Sequence, residues 1–73
     1  ERYQAAIRRA LEIAMKIADD AMRDVALSQI IRLSVKVDHM QTARVLLRTI
    51  RSEKLRAELT VESPVLAAHD AAS

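Results

Sequence analysis

None of the 73 residues is glycine, and that omission removes most of the ways in which a chain can turn sharply. Glycine takes positive φ and allows close backbone approach at the least cost. Two-residue β-hairpins and phosphate-cradling loops therefore have nothing to build on, and Rossmann and P-loop nucleotide sites are excluded. Cysteine is absent as well, which removes disulfide frameworks, thiolate zinc sites and cysteine nucleophiles together. Its absence fits a reducing compartment. No signal peptide opens the chain and no apolar run approaches the roughly 18 residues of a membrane span, so a cytoplasmic location is expected. Glu1 stands where an initiator Met would be, which points to a fragment or a processed product.

The hydrophobic half of the chain is almost wholly aliphatic, with Tyr3 its one aromatic, and aliphatic residues of this kind pack helices. Tyr3, Ile7, Ala10, Ala14 and Ile17 recur at spacings of three and four, with Leu11 and Ile13 widening the stripe. This predicts an amphipathic helix over 3–18. Asp19 and Asp20 then offer carboxylates to the free amides of a second helix, expected over 21–37. There Ala26, Ile30, Leu33 and Val37 form one stripe, flanked by Met22, Leu27 and Ile31. A competing pattern lies at its end, where Ile31, Leu33, Val35 and Val37 alternate with polar residues at the period of a half-buried strand.

Asp38 and His39 make the next break. Met40, Ala43, Leu46, Leu47 and Ile50 give a third apolar stripe, and Arg44, Arg48 and Arg51 a basic one. Ser52 reads as the N-cap of a fourth helix with Leu55 and Leu59 inward, and Pro64 ends it by disfavouring helical backbone at Ser63. The expectation is an all-α domain over 1–63, an antiparallel array of about four helices. The tail over 64–73 is expected to be either disordered or a short docked helix.

A shift of 33 residues lays Ala10 on Ala43, Ile13 on Leu46, Ile17 on Ile50, Asp20 on Glu53, Met22 on Leu55 and Arg23 on Arg56. A period near 33 to 34 is that of a two-helix repeat. The run Ala10-Leu11-Glu12-Ile13-Ala14, then Ile17 with Asp19, then Arg23-Asp24-Val25-Ala26-Leu27 and Ile30, resembles the tetratricopeptide-like repeats of prokaryotic proteins. The sequence departs from that family at Val37, where Gly is usual, and it lacks most of the aromatic plugs. The resemblance implies a fragment of an α-solenoid in which 3–17 close one unit, 21–51 make a complete one and 53–62 open a third.

It also implies a scaffold that binds proteins without catalysis, through a groove lined by the first helix of each unit. Ser28, Gln29, Arg32 and Lys36 are the candidate contacts, with Arg32 and Lys36 suited to an acidic or C-terminal carboxylate group of a partner segment. Catalysis finds little material, since His39 lies in a turn and His69 in the tail, neither with a triad around it. Asp19, Asp20 and Asp24 lack the spacing of a calcium loop. No cofactor or metal is implied.

Two further classes stay open. The twelve basic residues are nearly matched by ten acidic ones, for a net charge of +2, so a nucleic-acid role rests on local clustering. Arg44, Arg48 and Arg51 at i, i+4 and i+7 supply it, in a loose helix-turn-helix over 27–55. A chain this short also has a marginal core, so an open apolar edge would favour self-association or a capping role in a larger assembly.

Overall fold

The structure is a computed structural model and describes residues 2–66. Among them are four helices and no strand: α1 Arg2–Met15, α2 Asp20–Lys36, α3 Met40–Thr49 and α4 Glu53–Glu62. The chain is all-α. The alternation from Ile31 to Val37 is helical, because the same residues also satisfy the three- and four-residue spacing that buries Ile31 and half-buries Leu33.

Capping follows the sequence closely. Asp19 is the N-cap of α2 and its carboxylate accepts the Met22 amide at 2.9 Å. Ser52 is the N-cap of α4 and its hydroxyl accepts the Leu55 amide at 3.1 Å. Each satisfies one of the donors that a helix start leaves free. Helix α4 stops at Glu62, one residue before Ser63 and Pro64. Beyond Pro64 the chain turns back, and Leu66 enters the core with no exposed surface. The rest of the tail, 67–73, lies outside the described residues.

The break between α2 and α3 shows how a chain without glycine turns. Asp38 takes φ 63°, the left-handed region that glycine enters at least cost. Its amide bonds to the Val35 carbonyl at 3.1 Å, and the His39 amide reaches the Ser34 carbonyl at 2.7 Å. This is the paired bonding of a Schellman turn. The glycine-like position is therefore Asp38, one residue after Val37, and an aspartate tolerates it because its short polar side chain suits local hydrogen bonding.

Helix α2 is central, packing against α1, α3 and α4, with α3 its most extensive neighbour. Its deepest residues are Leu27 and Ile31 rather than the stripe through Ala26 and Leu33, and with them are buried Asp24, Ser28 and Ser34. The hydroxyls of Ser28 and Ser34 donate to the Val25 and Ile30 carbonyls at 2.6 and 2.8 Å, so their burial leaves no donor unmet. Ser34 near the end of α2 and Ala43 near the start of α3 have no exposed surface. Side chains this small let the two helices close near their shared turn.

Two contacts fix α4 on α2. The Asp24 carboxylate accepts the backbone amides of Arg51 at 3.1 Å and Ser52 at 3.0 Å, at the start of α4. At its far end Glu62 receives Arg32 in a two-bond fork, at 2.9 and 3.0 Å. The early residue of α2 thus meets the early end of α4 and the later residue the later end, so the two helices run in the same direction.

Two variants test these devices by thermal or urea unfolding. Asp38→Gly is expected to stabilise the fold by about 1 kcal/mol by relieving the left-handed residue, a rise in Tm of roughly 4–8 °C. Asp24→Ala strands two amides and is expected to cost about 1–3 kcal/mol.

Candidate functional site

An apolar cleft lies between α1 and α2. Ala10, Ile13, Ala14 and Ile17 form one wall and Ala26, Gln29, Ile30 and Leu33 the other, around a cleft of about 360 Å³. Its formation follows from the width of the apolar stripe on α1. Ile7 and Leu11 lie on the side of α1 turned to His39 and Thr42 at the start of α3. Ala10, Ile13 and Ile17 make a second stripe, and no described helix covers it from outside. Ile13 is 61% exposed, and Met22 and Val25 on α2 are exposed as well.

The counterparts of these residues 33 positions later show what coverage does. Ile13 corresponds to Leu46, which is only 4% exposed, and Ala10 and Ile17 to the buried Ala43 and Ile50. The face of α3 is filled by α2, while the same face of α1 stands open. The turns that carry the two faces are built alike. The Arg23 guanidinium donates to the Ile17 carbonyl at 2.8 Å, and Arg56 makes the same bond to Ile50. Each arginine sits four residues after its N-cap, Asp19 or Ser52, and ties the cap's turn to the end of the preceding helix.

Three basic residues stand around the cleft. On either side of Glu12, Arg9 stands four residues before Ile13 on α1 and Lys16 three after it, just past the end of the helix. Lys36 stands three beyond Leu33. The three cations are exposed.

The residues singled out in the sequence are placed unequally. Gln29 is exposed and lines the cleft, and Lys36 is exposed at the end of α2. Ser28 is 2% exposed, so it does not project with them; it falls on the side of α2 that its other neighbours cover. Arg32 is engaged with Glu62, each side chain about half exposed. The hydrogen bond from Arg32 holds the Glu62 carboxyl below the usual glutamate range, and the same bond raises Arg32.

The basic stripe is less continuous than its spacing implies. Arg44 is half-buried, Arg48 is exposed, and Arg51 falls beyond the end of α3 at Thr49. In the α3–α4 turn its guanidinium approaches the Asp20 carboxylate to 4.0 Å. Ile13 and Ile17 were not among the sequence candidates. The available signal was the stripe on α1, broader than one packed neighbour could cover.

No described helix is long and apolar enough to cross a membrane. No protein-family model matches the chain, nor does any curated protein or solved structure.

The Arg32–Glu62 pair has a definite pH signature. Because Glu62 is held below its ordinary value of 4.5 in the folded chain, its contribution is complete above that value and is lost as pH falls through the lowered one. The gap in urea midpoint between wild type and Glu62→Gln is therefore expected to be widest near pH 7 and to narrow as pH falls below 4.5.

Proposed function

We propose that this chain is a non-enzymatic protein-interaction module that receives a helical segment in the cleft between α1 and α2. The observation that carries the reading is the contrast at equivalent positions: Ile13 is open where Leu46 is covered by a neighbouring helix. An apolar cleft with helical walls suits an amphipathic helix, whose apolar face it would bury. Gln29 would meet the polar edge of such a segment, and Arg9, Lys16 and Lys36 favour one with acidic flanks. The recurrence of the Arg23 and Arg56 contacts supports the tetratricopeptide-like scaffold that the sequence resembles.

The nucleic-acid reading has less support, since Arg44 is half-buried and Arg51 leaves the helix. A pull-down from cell lysate with nuclease treatment compares the two. Proteins retained by wild type and by Arg44→Ala/Arg48→Ala, but lost by Ile13→Glu with unchanged helicity by circular dichroism, are the expected result. Equal recovery by Ile13→Glu would remove the cleft from consideration. Recovery of nucleic acid that depends on the arginines and vanishes at high salt would favour the other reading.

A further inference from the structure

The chain carries a second open apolar stripe, at the opposite end of the array. On α4, Ala57 and Val61 face outward, with Val61 79% exposed, and with Lys54, Glu58 and Glu62 they line a shallow depression of about 490 Å³. Val65, beyond the end of the helix, is exposed as well. Glu53 and Glu58 stand beside the stripe with Lys54, and Glu62 at the end of α4 is paired with Arg32.

We propose that the partner segment of the cleft is α4 of a second copy of this chain, so that copies join head to tail. The inference rests on the cleft reading above and adds the identity of the occupant. Two observations carry it.

The first is continuity with a contact already made inside the molecule. Helix α2 packs most extensively on α3, whose Leu46 is buried. Under the 33-residue correspondence α4 is the counterpart of α2, and α1 is the counterpart of α3. The open face of α4 and the open face of α1 are thus the two halves of an interface of which the chain holds one filled example. Ala57 and Val61 correspond to Asp24 and Ser28, both buried on α2. Asp24 is the residue that meets the start of α4, so the same correspondence sets the α4 stripe against the α2 wall of the second copy's cleft.

The second observation is charge. The cleft has Arg9, Lys16 and Lys36 around it, whereas the α4 stripe carries Glu53 and Glu58 beside Lys54, its third carboxylate, Glu62, being held by Arg32. Opposite signs around matching apolar strips favour this pairing over cleft against cleft, which would bring basic rims together. One helix in one cleft is a small interface, so association in the range of about 10 µM to 1 mM is expected. Because the joined surfaces differ, one copy leaves both a free head and a free tail, and growth does not stop at a dimer.

Sedimentation of the full chain from about 10 µM to 1 mM, a range spanning the weak affinities of small interfaces, tests this with two variants. Ile13→Glu spoils the head and Val61→Glu the tail. Both positions are exposed, and Glu keeps a high helix propensity. Wild type is expected to grow with concentration beyond a dimer, and each variant alone to associate at least about tenfold more weakly. An equimolar mixture restores one-to-one dimers and nothing larger, because each variant keeps the surface the other has lost. Association retained by Val61→Glu but lost in Ile13→Glu would overturn the α4 assignment and leave the cleft reading in place. Association retained by both would overturn the two readings together. A wild-type chain that stays monomeric throughout would overturn the second copy as occupant, with the cleft then judged by the lysate experiment alone.

Discussion

The fold depends on α2 being enclosed by three helices at once. A chain of this size has little core to spend, and a helix with several neighbours gathers burial from more than one face. The cost is that some polar residues of α2 are buried too. Asp24 carries the most demanding of these, because a carboxylate removed from water needs donors. It finds them in the two amides at the start of α4, where the partial positive charge of a helix N-terminus also favours an anion. A single side chain thereby meets its own need, satisfies two free amides and sets where α4 begins. The Arg32–Glu62 fork then sets where it ends, and Leu59 is buried between the two attachments.

Local chemistry made the helices legible in the sequence. Asp19 and Ser52 act as caps and Pro64 follows a stop because these residues interact with backbone a few positions away, whatever the rest of the chain does. The α1 boundary was less well drawn, since Met15 ends the helix and the stretch through Ala18 is not helical. Apolar residues at Ile17 and Ala18 continue the helical period, yet Ile17 gives its carbonyl to Arg23. Periodicity could not show that a residue six positions downstream would claim that group.

What the sequence left hidden is the set of neighbours. A stripe through Ala26, Ile30, Leu33 and Val37 finds the side of α2 that forms the cleft with α1. It cannot reveal that Leu27 and Ile31 go deeper against the other helices, or that Ser28 and Ser34 go with them. Small hydroxylated residues look like surface in any hydropathy pattern, and their burial depends on bonds to carbonyls within their own helix. The arginines were ambiguous for a related reason. Arg23 and Arg56 hold turns and Arg32 holds α4, so three cations that composition would offer to a phosphate or an acidic partner are used inside the fold.

Ile13 and Leu46 bring these strands together. They are both branched aliphatic residues at matched positions, each just before a turn tied by an arginine to the same carbonyl position. Nothing in their own chemistry separates a residue that is 61% exposed from one that is 4% exposed. The difference is what lies alongside, and α3, which carries Leu46, packs extensively on α2. Burial at such a position reports on the neighbour rather than on the residue. An aliphatic side chain left open where its counterpart is closed therefore differs from it only in the neighbour it lacks. The described fold supplies one further helix, α4, whose own outward face is open in the same sense.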